Sequence, residues 1–456
     1  MATQTAFRTT ILPVDASKIG KLTSVPRPDD LLDDLKIELD DTSIDAQYLL
    51  RASVELRTSD IPVAFPTETV YGLGADATRS SAVQGIYRAK QRPSDNPLIV
   101  HFASLDQLRK LLRPGQTNLA TVNGITSGDD PIPSIYGPLI KRFWPGPLTI
   151  ILPNPVDTLL APEVTAGLST FGARIPAHPL ALALIKLAEI PIAAPSANAS
   201  TKPSPTAAEH VHFDLNGRIR TILDGGPCSV GVESTVVDGL SDPPSILRPG
   251  GISLEQLRLC PGWGNLQIGY KNAAETGSQP KAPGMKYRHY SPKAPVVLFE
   301  CDTTAITTQE LVHFLDANKR LGLVRTKFWT LDVEKGGNSL ISKDITKYNG
   351  DKVFSCDEDE HNNGVAGLIS TLKTSPTPRH AMQKHTIATP EFSSFELIDL
   401  NIGPSTKNVA RGIFAALREL DREDVDAILV EGIDDSEGSV AAAVMNRLRK
   451  AAEVRR

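Results

Sequence analysis

Lys90 and Arg92 stand two residues apart in AKQRPSDNPLIVHF, just ahead of Pro93, Asn96 and Pro97. A basic pair on a proline-stiffened loop leading into an apolar strand is a rigid edge on which a carboxylate or phosphate can be held. Taken alone, the segment also reads as an exposed basic turn, because clustered charge usually faces solvent. His101 lies inside the apolar run 98–102, where a histidine serves either a hydrogen-bonded core or a site. In STFGARIPAHP, Thr170 and Arg174 bracket a glycine, and the arginine can fork onto an anion or form a structural salt bridge. The segment PIAAPSANASTKPSPT runs from a buried strand into small polar residues, among them Ser196, Asn198, Ser200, Thr201 and Ser204. Such residues beyond a strand end let a ligand approach the backbone, although Thr206 before AAEHV equally suits a helix N-cap. Glu233, Ser234 and Thr235 after a glycine-rich stretch, and Arg248 in ILRPGGIS, repeat this pairing of small polar groups with a cation.

Other chemistries find less support. There is no G-x-x-x-x-G-K-[ST] loop. Residues 72–77 (GLGADA) fit the relaxed G-x-G-x-x-A pattern, but PTETVY separates them from the strand IPVAF where a tight turn is needed, so they read as a turn or a close-packing site. No nucleophile–base pair stands in a convincing context. Cys228, Cys260, Cys301 and Cys356 are far apart with no C-x-x-C pair, which argues against zinc, redox and disulfide-scaffold roles. The formal charge of −5 excludes a protein whose bulk field grips nucleic acid, leaving only local patches for RNA. What remains is a site that binds anions and orients them.

The elements that must position these groups fall into two parts. The chain of 456 residues is too long for one ordinary domain. Residues 1–44 carry no clear core pattern and read as an extension. Alternating strand-like and helix-like runs over 45–260 predict an α/β domain. Residues 261–294, rich in Gly, Pro, Lys and Ser, read as a linker. From 295 to 456, strands such as PVVLFE, LGLVR, FELIDL and DAILVEGI alternate with helical patterns, predicting a smaller doubly wound, Rossmann-like domain. Within it, about 335–390 is polar and irregular and reads as a mobile insertion. Ser405 or Thr406 should cap the helix that follows FELIDL. No apolar run is long enough to span a membrane. The N-terminus has no signal-peptide core, and the cytosol is the expected compartment. Arg8, Lys18 and Lys21, with no acidic residue before Asp15, leave a mitochondrial fraction open.

Taken in order, PTETVYGLGADA, AKQRPSDNPLIVH, FWPGPLTIIL, FGARIPAHP, IAAPSANASTKPSPT, VGVESTVVD and ILRPGGIS resemble the YrdC-type threonylcarbamoyl-AMP synthases. APGMKYRHYSP and the C-terminal ARGIFAALRELDREDVDAILVEGI resemble the linker and second domain of the family's longer branch. The resemblance implies a twisted, mixed sheet with a positively lined cleft, and synthesis of L-threonylcarbamoyl-AMP from L-threonine, bicarbonate or CO2, and ATP with release of pyrophosphate. That is the first step toward N6-threonylcarbamoyladenosine in tRNA. It also implies that Arg92, Asn96, Thr170, Ser196, Ser204 and Arg248 hold ATP, with Tyr287 of the linker reaching over the nucleotide. Lys90 and Arg92 would act on the phosphates, with Mg2+ arriving on ATP and no metal held by the protein. Thr69, with Thr67 as its alternative, would surround threonine together with His101, Arg174, Ala194 and Ser234. The product would pass to a downstream tRNA threonylcarbamoyl transferase.

Two other readings compete. One is a non-catalytic RNA-binding module, suggested by Lys281, Lys286, Arg288, His289 and Lys293. The other is a carbamoyl-transfer enzyme using carbamoyl phosphate, whose usual acylphosphatase-like segment and zinc-finger cysteines are not visible. Tyr287 and its basic neighbours also predict that the linker closes as a lid.

Overall fold

The computed structural model describes residues 7–27, 29, 31–113, 121–122, 125–126, 130–270, 290–301, 305–327, 329–331, 339–343, 364–370, 382–388 and 394–456. The first part is built on an eleven-stranded mixed sheet among these residues. Its order is Thr10–Pro13, Thr221–Asp224, Val63–Phe65, Gly72–Asp76, Ile192–Ala193, Ile99–His101, Thr170–Arg174, Leu148–Pro153, Thr235–Asp238, Ser245–Arg248 and Gln267–Ile268. Helices Ile44–Thr58 and Pro179–Ala188 pack together against it. Ser43 caps the first of these, its hydroxyl accepting from Ala46 N, and Leu49, Ala52 and Leu56 form the buried stripe at helical spacing. The second helix reads PLALALIKLA and is buried nearly all round, as an apolar helix between two layers must be.

Residues 1–44 are more than an extension. Thr10–Pro13 adds a parallel edge strand beside Thr221–Asp224, Gly20–Val25 pairs with Asp34–Leu39, and Leu12, Val14, Ile19 and Leu35 enter the main core. The glycines of GLGADA lie inside a strand rather than a turn: a Cβ on Gly74 would stand 2.8 Å from Phe65 and 2.9 Å from Ile192. They serve close packing.

The C-terminal sheet has six strands among the described residues, in the order Met382–Ile387, Phe395–Asn401, Arg320–Arg325, Ala427–Glu431, Val296–Phe299 and Ala452–Arg455. All neighbours are parallel except the first pair. Strand residues alternate between two cores. Val296 and Leu298 meet helices Thr406–Arg422 and Ser439–Ala451, while Val297 and Phe299 meet Ile306, Leu311 and Trp329. This two-faced burial explains the continuous apolar runs of its strands. The span 335–390, expected to be irregular, holds strand Ser339–Lys343, helix Val365–Ser370 and strand Met382–Ile387. Val365 joins the core of the first domain. Ser405 is the N-cap of its helix without a side-chain cap bond, and Ala207 rather than Thr206 caps Ala208–Leu215. Among the described residues no helix is long and apolar enough to cross a membrane.

Candidate active site

A cleft with about 550 Å³ of unfilled space opens where strands Gly72–Asp76, Ile99–His101, Thr170–Arg174 and Thr235–Asp238 end beside the loops 66–71, 194–198 and 231–234. Its lining includes Thr67, Thr69, Arg92, His101, Arg174, Ala194, Ser196, Glu233, Ser234, Arg248 and Tyr290.

The loop 66–71 joins two antiparallel strands and folds around Thr67, whose Oγ1 takes Val70 N at 3.3 Å and Thr69 N at 3.2 Å. Such local bonding is what a hydroxyl offers a tight loop. Thr67 Oγ1 also lies 2.9 Å from Thr69 Oγ1, which accepts from Arg174 Nη2 at 2.9 Å. Thr67 therefore organises the loop, and Thr69 joins it to the arginine. Arg174 Nε donates to Gly146 O at 3.3 Å, and Glu68 Oε1 lies 2.7 Å from Arg174 Nη2. That last contact is ionic rather than aligned, since neither Glu68 oxygen has a hydrogen-bond partner. Among the described residues Arg174 Nη1 carries no partner.

Parallel pairing places His101 opposite Arg174. Burial, with the arginine's charge second, lowers the His101 pKa to about 3, so the imidazole is neutral at physiological pH. Its Nδ1 is buried without a partner. On the opposite wall, Arg248 donates to Ser234 O at 2.9 Å and Ser234 Oγ at 3.0 Å, and Ser234 Oγ lies 2.8 Å from Thr149 Oγ1. Burial lowers Arg248 to about 10, which leaves it charged near neutrality. Glu233 accepts from Ser204 Oγ at 2.6 Å and faces Arg447 Nε at 3.0 Å. Burial works against its ionisation, but Arg447 and then Arg248 outweigh it and hold the carboxyl near 2.

Several expected residues lie elsewhere. Lys90 is 2% exposed and does not line the cleft: its ammonium donates to the carbonyls of Ser196 and Asn198, the latter at 2.7 Å. It shapes the wall instead of facing the phosphates, and burial depresses its pKa. Ser204 stands behind Glu233. Asn96 is buried outside the lining, its Oδ1 without a partner. Thr170 sits at the far end of the strand that carries Arg174, paired with Pro153, about 13 Å away at strand rise. Tyr287 lies outside the described residues, as do Lys281, Lys286, Arg288 and His289.

Sequence reading passed over Glu68, Tyr290 and Arg447, and gave Glu233, singled out with Ser234 and Thr235, no role of its own. Tyr290 reaches the cleft from the linker and stacks on Phe414 of the second domain, ring centroids 5.2 Å apart. Burial, followed by Glu233, raises its pKa to about 12, so it is a neutral phenol. The available signal was its place in KYRHYSP, one tyrosine beyond Tyr287. Among the described residues no group of three or more His, Cys, Asp or Glu could hold a metal, and the two nearby carboxylates already face arginines. A resident protein-held cation does not fit this donor set.

Comparison with known proteins matches both parts. A family described as "Telomere recombination" matches residues 55–250, and one described as "Threonylcarbamoyl-AMP synthase, C-terminal domain" matches 252–453. The threonylcarbamoyl-AMP synthase of Schizosaccharomyces pombe is 44% identical, covering 88% of this chain and 86% of its own. That of Bacillus subtilis is 40% identical, covering 91% and 95%. The crystal structure of Pyrococcus abyssi Sua5 complexed with L-threonine superposes with a TM-score of 0.65 at 33% identity, covering 98% of this chain and 100% of that one. With sequence and fold matched across both domains, the chain belongs to the threonylcarbamoyl-AMP synthase family in its two-domain form.

Proposed function

We propose that the cleft joins L-threonine, bicarbonate and ATP into L-threonylcarbamoyl-AMP and releases pyrophosphate. The observation that carries this reading is the convergence of Arg92, Arg174 and Arg248 on one cleft beside a neutral His101 whose Nδ1 has no partner. The P. abyssi relative, complexed with L-threonine, supports the amino-acid half.

The threonine carboxylate would meet Arg174, whose Nη1 is unengaged among the described residues and whose other nitrogens are fixed by Gly146, Thr69 and Glu68. A guanidinium held in this way binds a carboxylate with little loss of freedom. His101 Nδ1 and Ser234 Oγ would face the hydroxyl and amine, while Ala194 would leave room for the methyl. One methyl in such a pocket is worth about 1–3 kcal/mol, so serine should react about 10- to 200-fold less efficiently. Desolvation lowers the pKa of the amine and favours its neutral form. That amine adds to the carbon of bicarbonate, losing water to give a carbamate. A carbamate oxygen then attacks the α-phosphorus of ATP, and the bond to the β-phosphate oxygen breaks as pyrophosphate leaves. Arg92 and Arg248 would neutralise the phosphates, and Tyr290 would close the cleft from the linker side. Mg2+ would arrive coordinated by ATP itself and add charge neutralisation. No covalent protein intermediate is needed, because binding in the right geometry and charge cancellation supply the catalysis.

A carbamate–phosphate mixed anhydride hydrolyses readily, which favours handing it in the cytosol to a downstream tRNA threonylcarbamoyl transferase. Pyrophosphate release tests the reaction: it should require ATP, threonine and bicarbonate together. Turnover of carbamoyl phosphate without ATP would contradict it, as would RNA binding with no pyrophosphate release.

A further inference from the structure

Among the contacts of the C-terminal domain with the wall that carries Glu233 and Arg248, one joins two of its segments at once. Arg447, on helix Ser439–Ala451, is 1% exposed and does not line the cleft. Its Nε lies 3.0 Å from Glu233 Oε2, and its Nη1 donates to Pro249 O at 2.7 Å. Glu233 in turn accepts from Ser204 at 2.6 Å, and Pro249 directly follows Arg248. One guanidinium thus ties down both the Glu233 side chain, with Ser204 behind it, and the backbone next to Arg248, the proposed phosphate contact. We infer that Arg447 is a positioning residue for ATP, supplied by the second domain and acting through Glu233 and the backbone at Pro249.

The physical reason lies in what Glu233 does without it. After Arg447, Arg248 is the cation whose charge acts most on Glu233, with Lys450 also coupled to it. A buried carboxylate that loses its partner takes the nearest cation. Removing Arg447 would therefore swing Arg248 toward Glu233 and away from the triphosphate. The first domain carries the cleft, yet this arrangement makes its phosphate-binding geometry depend on the second domain being docked.

The inference rests on the proposed reaction, so wild-type full-length protein is assayed first; absence of product there would refute the reaction rather than the role of Arg447. Steady-state kinetics then compare Arg447→Gln, Arg447→Lys, and Arg447→Gln combined with Glu233→Gln, with threonine affinity followed by calorimetry. Arg447→Gln should lower kcat/KM for ATP about 30-fold or more, mainly through KM, while threonine affinity changes less than about threefold. Arg447→Lys should recover part of the loss, because an ammonium restores charge but cannot fork onto both segments. The double variant should outperform Arg447→Gln, since removing the Glu233 charge frees Arg248; a purely structural role would make it worse. The inference is overturned by a folded Arg447→Gln within about threefold of wild type for ATP, or by a double variant no better than the single one. If Arg447→Gln does not fold, Arg447→Lys decides on the same ATP criterion: a rise in KM of more than about threefold supports the role, and a smaller one overturns it.

Discussion

Arg174 is oriented before any ligand arrives, by Gly146 O, Thr69 Oγ1 and the Glu68 carboxylate. That preorganisation makes two substitutions informative. Arg174→Lys loses the planar fork and should reduce kcat/KM for threonine about 100-fold, or about 3 kcal/mol, in steady-state assays. Glu68→Gln keeps the shape but removes the charge behind the arginine, and should raise KM for threonine about 3- to 10-fold with kcat nearly kept. An unchanged KM would remove Glu68 from the site. The cationic and small polar residues of the cleft were legible because their types are unusual beside apolar strands. The roles of Glu68 and Glu233 were not, since each depends on an arginine at least 100 residues away in sequence, Arg174 and Arg447. Lys90 shows the converse: a basic residue in a suggestive motif whose ammonium is directed to backbone carbonyls.

Strands place the chemistry at the next scale, and their register does the selecting. Parallel pairing sets His101 beside Arg174, while the same strand carries Thr170 to its opposite end. No spacing rule in a single segment could separate those two, because both flank the same glycine. The C-terminal strands were readable as apolar runs, because they are buried on both faces, whereas strand Thr10–Pro13 was not. It is a short edge strand whose burial comes from Thr221–Asp224, more than 200 residues later. The packing role of GLGADA yields a stability test. Gly74→Ala would press a methyl against Phe65 and Ile192 and should cost about 1–3 kcal/mol in denaturant unfolding. A neutral result would mean that the two side chains can give way without strain.

Across the whole molecule, the second domain packs against the segments that carry the site. Tyr290 stacks on Phe414, Arg418 pairs with Asp214 at 2.7 Å, and Arg447 pairs with Glu233. Ending the chain after residue 262 should therefore reduce product formation by about 100-fold or more, and full activity in that fragment would refute the coupling. Buried titrating groups set the acid limit of the fold. Burial lowers His101 and His210 to about 3 and His178 to about 4, whereas an unfolded histidine titrates near 6.5. The unfolded chain then binds more protons, so stability falls as pH drops from about 6.5 toward 3–4. Glu233, held near 2, adds a second loss between about pH 4.5 and 2. Thermal unfolding should show a lower midpoint at pH 5 than at pH 7.5, and equal midpoints would contradict neutral burial of the histidines. The reaction itself is decided most directly by mass spectrometry of the product formed from ATP, bicarbonate and isotopically labelled threonine. A species containing AMP, one carbonyl and the label, formed only when all three substrates are present, is the expected result. Unaltered threonine and ATP, or a labelled product formed without ATP, would contradict it.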